Sequence, residues 1–388
     1  MCEAGLRTKL SFCYNQSMTD AKKFNLAVAT LTSAIIGTGF FILPYVASQT
    51  GLIIALGYFV GLTGLTLLIH LMFTQVALET PDFLRLPGYA QYHLGGWGKK
   101  AASISMIIGS YGTLLIFLIM GGNFLANLVQ PILGGNILIY TLAYFAFASV
   151  FIYFGIRPLA KIDFADLTAF TIVLAVVFLA GKNLWQAQNL AVPINFQNFF
   201  LPYGPLLFAL WGATMIPEIE EMLGEKKEKL LKKAVSVSVL ISAVFYLVFT
   251  FLVWGISGSN TSQDAFSGLK PFLGKEIAAL GFFLGIVTIF TSFGAVGITL
   301  EKVFRYDFKM PKSLAFLLVC GAPLILFLLG FRNFVDIIGL VGGVMMGVEG
   351  ILILLMYQKV KPEKKWLVLP LITIFLLGII YEAVYFAK

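Results

Sequence analysis

Ser33-Ala34-Ile35-Ile36-Gly37-Thr38-Gly39-Phe40-Phe41-Ile42-Leu43-Pro44-Tyr45 lies inside an otherwise unbroken apolar block near the start of the chain. Two glycines flank a threonine, and a proline follows five residues after Gly39. Glycine costs a helix about 1 kcal/mol relative to alanine and proline removes a backbone donor, so the winding is weakest in mid-block. At membrane depth an unwound backbone is tolerated only where it lines a cavity or is buried in protein. The other reading is that Gly37 and Gly39 let neighbouring helices approach closely.

That block is one of eleven. The 388 residues are 59% hydrophobic and only 12% charged, with a mean hydropathy of +0.92, and so little polar surface cannot cover a soluble domain. Blocks such as Leu52–Leu78 and Val235–Trp254 exceed the roughly 20 helical residues that cross a hydrocarbon core. They lack the strict alternation of a membrane β-barrel, so the spans are helical. The expected spans are 24–48, 51–78, 101–128, 136–155, 164–181, 201–221, 234–257, 276–300, 313–330, 334–357 and 366–386. The expected fold class is therefore an all-α membrane protein of about eleven transmembrane helices. A tail (1–22) precedes a single transmembrane domain (23–388).

A net charge of +8 raises nucleic acid as a partner. The placement of the charge argues against it. With the N-terminus in the cytoplasm, 22 of the 27 Lys and Arg fall in the tail or in inside loops. Lys226, Lys227, Lys229, Lys232 and Lys233 between spans six and seven form the densest group. Only Lys182, Lys270, Lys275, Arg332 and Lys388 fall outside. This is the positive-inside pattern, with the C-terminus outside, and it makes the lipid bilayer the partner. A cell (plasma or inner) membrane is the expected location. The polar stretch Met1–Asp20 carries no cleavable apolar core, so the first span is read as retained. Cys2, Cys13 and Cys320 form no paired framework or metal-ligand spacing, and no metal site is expected. Between spans, Glu79–Lys100 reads as a short interfacial helix with breakers at both ends. Gly258–Lys275 reads as a solvated loop, being rich in Ser, Gly, Asn and Gln. Arg157 and Lys161 read as simple charge partners of Asp163 and Asp166.

Span six repeats the weakness of span one: Pro205, Gly212 and Pro217 interrupt Phe208-Ala209-Leu210-Trp211-Gly212-Ala213-Thr214 in mid-span. Spans one and six are corresponding members of two five-span halves. Breaks at matching places are the best sequence pointer to a midplane site between inverted repeats. Repeat one would run over about 23–185 and repeat two over about 200–358, with an extra helix at about 366–386. The helix restarting near Gly39 would offer free N–H groups and a positive dipole end to a carboxylate. The helix ending near Phe208–Trp211 would offer carbonyls to an ammonium group. Together these ends describe a small-molecule partner, an α-amino acid. The expected lining is Ser33, Gly37, Thr38, Gly39, Phe40, Phe208, Trp211, Gly212 and Thr214, with Tyr111 of span three reading either as cavity lining or as helix packing.

Gly37-Thr38-Gly39-Phe40-Phe41-Ile42-Leu43-Pro44-Tyr45 resembles the G-T-G-I-x-x-L-P-Y signature of the amino acid/auxin permeases and of the bacterial hydroxy and aromatic amino acid permeases. Both are branches of the amino acid–polyamine–organocation superfamily. Phe208–Gly212 with Ile216-Pro217-Glu218 resembles the sixth span of these families. Thr291-Ser292-Phe293 with Leu300–Asp307 resembles their eighth span and its exit. The resemblance implies a five-plus-five inverted-repeat fold with one extra span, and ion-coupled uptake of amino acids.

The expected cofactor is only a coupling ion, proton or sodium. For sodium, the resemblance points to hydroxyls at Thr291 and Ser292, with Thr288 on the same face of span eight. The bland reading is that these hydroxyls bond their own helix. Proton-coupled relatives often carry a lysine in span five, and Phe164–Gly181 has none. For a proton, Glu349 inside span ten and Glu218 just past the span-six break are the candidates, since an intramembrane carboxylate is functional by default; the other reading of Glu349 is a protonated acid bonded to a neighbouring helix. His70 reads as a bonded packing histidine.

With two histidines, no H-E-x-x-H and no G-x-S-x-G, the material for an enzyme is thin. The competing classes are a small-solute channel and a transporter-like sensor. Nothing in the sequence calls for an obligatory protein partner.

Overall fold

The computed structural model describes residues 19–81, 84–154, 160–224 and 228–386, with side chains throughout these except at 160–166 and 307. The tail with Cys2 and Cys13, Lys226, Lys227 and Lys388, and the charge partners Arg157, Lys161, Asp163 and Asp166, lie outside the described side chains. Among the described residues every element is helical.

Span one is broken as its glycines require. A helix over Asp20–Ile35 opens on Thr19, whose side chain accepts from the Lys22 amide. Gly37 is extended (φ −91°, ψ −158°), a 3₁₀ turn covers Thr38–Ile42, and the helix resumes over Leu43–Thr50. The two parts are bent by 47°. Pro44 sits in the first turn of the second part, where a missing N–H costs nothing. Span six repeats this construction. Tyr203–Leu210 is helical, Trp211 is extended (φ −79°, ψ 113°), a 3₁₀ turn covers Ala213–Met215, and Ile216–Leu223 restarts with Pro217 in its first turn.

Among the described residues seven helices are long and apolar enough to cross a membrane, and the bent pair of span one makes eight. Span five is a 22-residue helix, Ala160–Gly181, whose side chains are described from Leu167 on. Span nine is a shorter helix, Lys312–Leu328, and span six is two eight-residue pieces. Span three, by contrast, runs from Gly96 to Leu133, well past both expected ends.

Span ten carries a π-helical turn at Val341–Met345 between Phe334–Leu340 and Met346–Val360. Its glycines let span six come close: a Cβ at Gly342 would lie 1.9 Å from the Gly204 carbonyl. Span three lies on the same turn, with Ser105 Oγ donating to the Met345 carbonyl at 2.9 Å. The broken stretches of spans one and six thus sit at the centre of the core, with Thr38–Leu43 and Leu206–Leu207 buried.

Of the two long connections, Glu79–Lys100 does contain a short helix, Leu86–Leu94, with Pro87 in its first turn and Gly95 (φ +79°) ending it. Its His93 bonds Thr80 Oγ1 at 2.9 Å, and burial holds the imidazole pKa below its ordinary value. The other connection differs from expectation. Gly258–Lys275 is not a solvated loop: a helix at Phe266–Leu273 inserts Phe266 into the core against Phe41, Phe124 and Phe282. Its polar composition hides two buried apolar anchors, Phe266 and Leu269, one turn apart.

Candidate functional site

The breaks in spans one and six touch. A Cβ added to Gly39 would lie 2.9 Å from Ala209 Cα and 2.9 Å from Phe208 Cδ1, so glycine is required for the two turns to meet. A Cβ at Gly212 would lie 2.6 Å from Ile35 Cγ1. At Gly37, in contrast, an added Cβ meets only the preceding carbonyls, at 3.9 Å. Gly39 is the joint, whereas a Cβ at Gly37 would make only ordinary contacts.

Freed backbone groups must find partners. At span six His70 and Tyr246 supply them, and Glu349 holds the Trp211 side chain. His70 of span two takes the Gly212 N–H on Nε2 at 2.9 Å, while Nδ1 faces the Thr66 carbonyl at 2.5 Å. These partners fix a neutral ring, Nδ1–H donating and Nε2 accepting. Tyr246 of span seven, wholly buried, places its hydroxyl 2.5 Å from the Ile35 carbonyl and 2.9 Å from the Ala209 carbonyl. One hydroxyl joins the carbonyl ends of both first half-helices. Trp211 donates from Nε1 to Glu349 Oε2 at 2.8 Å. At span one, Gly37 N–H bonds the Ile35 carbonyl at 2.7 Å, and the buried Thr38 Oγ1 has no hydrogen-bond partner.

The side chains expected to meet are only partly brought together. Gly37, Thr38, Gly39, Phe208, Trp211 and Gly212 converge, Phe208 lying between Gly39 and Gly342. Ser33 is half-buried and Thr214 exposed. Phe40 is spent elsewhere, its ring packed in an aromatic cluster with Phe170, Phe245 and Phe249 of spans five and seven. Tyr111 faces Phe304 at the far end of span eight, 6.4 Å between ring centres, rather than the breaks.

The ion candidates separate as well. Glu349 is buried, and the face it shares with Gly342 turns toward span six. No Lys or Arg among the described residues pairs with it. A bare charge there would cost several kcal/mol. Glu218 instead forms an ion pair with Arg85 of the interfacial segment at 2.5 Å, partly exposed on both sides. On span eight, Thr288 Oγ1 donates to the Leu284 carbonyl at 3.0 Å and Thr291 Oγ1 to the Thr288 carbonyl at 2.8 Å. These hydroxyls bond their own helix, as β-hydroxyls in apolar helices do. Ser292 is half-buried beside them.

Residues 22–387 match the family described as "Transmembrane amino acid transporter protein". The chain belongs to this family. As an amino acid transporter family member it is an integral membrane protein, and its fold is that of inverted-repeat transporters. MhsT in complex with L-phenylalanine superimposes with a TM-score of 0.68 at 12% identity, covering 91% of this chain and 98% of that one. Mhp1, a nucleobase-cation-symport-1 family transporter solved with bromovinylhydantoin bound, gives 0.62 at 12% identity over 85% and 77%. A manganese transporter from Eremococcus coleocola gives 0.57 at 12% identity over 92% and 86%. At such identities the likeness is one of fold. No curated protein matches the chain.

Sequence reasoning left two parts of this candidate site unplaced. It read His70 as a bonded packing histidine without naming its partner, which is the Gly212 N–H at the span-six break. It left out Tyr246, a span-seven tyrosine with no local pattern to mark it. Both partners lie far along the chain, and spacing carries no signal of that kind.

Proposed function

We propose that this transporter is a cation-coupled symporter of a neutral or aromatic L-amino acid, working by alternating access. The observation that carries the reading is the pair of facing breaks. Two half-helix ends and one unpartnered buried hydroxyl, Thr38 Oγ1, meet at mid-bundle beside Gly37, where a side chain would make no close contact. A carboxylate would take the N–H groups of the Thr38–Ile42 turn and the Thr38 hydroxyl. The Tyr246 hydroxyl already holds the Ala209 carbonyl, so an ammonium group would use the remaining carbonyls of the span-six break. Phe208 and Trp211 would border the side-chain pocket.

Glu349 is the better supported coupling group. It is buried, lacks a cationic partner among the described residues, and is bonded to the residue at which span six unwinds. Binding and release of a proton there would bias the Trp211 hinge, which is how an ion can drive a conformational change. The span-eight hydroxyls are the sodium alternative. With the N-terminus in the cytoplasm, as the Lys and Arg asymmetry requires, the exposure of Ala34 and Thr214 fits an opening toward the inside. The expected membrane is the cell membrane.

Uptake of a panel of labelled amino acids into proteoliposomes, under pH or sodium gradients, tests the reading. Counterflow of the winning amino acid separates a carrier from a sensor, because a sensor binds without exchange. Conduction that never saturates with substrate would instead indicate a channel.

A further inference from the structure

Span eleven carries a carboxylate that the proposed transport cycle does not use. Glu382 is 4% exposed, near the end of Lys365–Phe386. Three glycines on two other spans form its cradle. A Cβ at Gly204 would lie 2.6 Å from Glu382 Oε1, one at Gly339 2.8 Å from Oε2, and one at Gly343 2.2 Å from Cγ. The Gly204 backbone lies against its carboxyl group. No Lys or Arg among the described residues pairs with it. The titratable groups around it are Asp336 at the start of span ten, Tyr58 of span two, Tyr203 of span six, and Tyr381 and Tyr385 on its own helix.

A second, independent observation lies beside it. Tyr203 is 4% exposed, and its hydroxyl is buried without a hydrogen-bond partner. The ring stands against Gly378, one turn before Glu382, where a Cβ would come within 2.1 Å of it. Glu382 also lines a small cavity with Leu201, Pro205, Val335 and Tyr385. The Tyr203 hydroxyl is a buried orphan polar group, and one beside a buried carboxylate calls for a functional account.

We propose that Glu382 is a proton-binding site, separate from Glu349, at the seam where span eleven meets the first half of span six and span ten. The carboxylate takes one proton from the aqueous phase and becomes a neutral acid. When the proton leaves, the free Tyr203 hydroxyl is the donor available to the charge. The glycine cradle joins span eleven to the half of span six that ends at the break, so the protonation state of Glu382 bears on how that half can move.

Infrared spectroscopy of the purified full-length chain, titrated with pH, reads protonated carboxyl groups without any transport. A titrating carboxylic-acid band should vanish in Glu382→Gln and persist in Glu349→Gln. Tyr203→Phe keeps the carboxyl and should move that titration to higher pH, because the carboxylate loses its side-chain donor. Spectra of Glu382→Gln and Tyr203→Phe that superimpose on the wild type would overturn the site, as would the Tyr203→Phe spectrum alone should Glu382→Gln not fold. A second arm rests on the transport reading. In proteoliposomes Glu382→Gln should keep counterflow while losing about tenfold of uptake driven by a pH gradient. Failure of that arm with the infrared arm intact would leave the proton site standing and remove its link to transport.

Discussion

At the span-six break, neighbouring helices bring side chains to the unwound turn: His70 takes the Gly212 amide, Tyr246 reaches the Ala209 carbonyl, and Glu349 takes the Trp211 indole N–H. At the span-one break only Tyr246 reaches in, to the Ile35 carbonyl that the Gly37 N–H also bonds, and the Thr38 hydroxyl is left over. The sequences of the two breaks look alike, a glycine before a 3₁₀ turn and a proline in the first turn of the restart. Their surroundings divide the labour. The break stapled by side chains is suited to sensing an ion and setting the bend. The break with unspent polar groups is suited to holding a ligand.

Substitutions can break this comparison, and the largest effect is expected at the joint. Gly39→Leu should abolish uptake while the protein still inserts, because even one added carbon collides with the Ala209 backbone and overpacking costs about 1–3 kcal/mol. Gly37→Ala, two residues away, should keep uptake within a few-fold, since its Cβ makes only ordinary contacts. Equal behaviour of the two, with insertion checked by surface labelling, would erase the distinction between the two glycines.

Next in size is the staple itself. Glu349→Gln keeps an acceptor for Trp211 but cannot ionise, so uptake should lose its response to a pH gradient while counterflow continues. An unchanged gradient response would remove Glu349 from coupling. His70→Ala should lower the thermal unfolding midpoint, since stranding the buried Gly212 N–H costs about 1–3 kcal/mol. His70→Gln, which restores an acceptor, should recover part of that loss. The smallest effect is expected on span eight. There Thr291→Ala/Ser292→Ala should change uptake less than about twofold, the Thr291 hydroxyl being spent on its own helix. Loss of a sodium dependence in that variant would move coupling to span eight.

Much of this fold was legible in the sequence because membrane helices announce themselves by length and because glycine and proline weaken a helix wherever they stand. The breaks at Gly37–Gly39 and Trp211–Pro217 were readable for that reason. So was the inward turn of Glu349, since Gly342 shares its face and only a packed face tolerates a carboxylate. Side-chain direction was not legible. Phe40 belongs to the motif yet points into the aromatic core of spans five and seven, and Tyr111 points along span three toward Phe304. Long-range partners were equally invisible: nothing in the spacing of His70, Tyr246 or Glu382 tells which distant backbone group each one meets. Composition misled once, at Gly258–Lys275, where two buried anchors among polar residues make a helix that caps the core.

Competition against uptake of the preferred amino acid addresses most directly whether two unwound helices grip both ends of a zwitterion. The decarboxylated amine and the N-acetylated acid of that same amino acid, each keeping the side chain and lacking one charged end, should both compete at least about tenfold more weakly than the parent. An amine or an N-acetyl acid that competes as well as the parent would contradict the account, because one of the two breaks would then have no ligand group to hold.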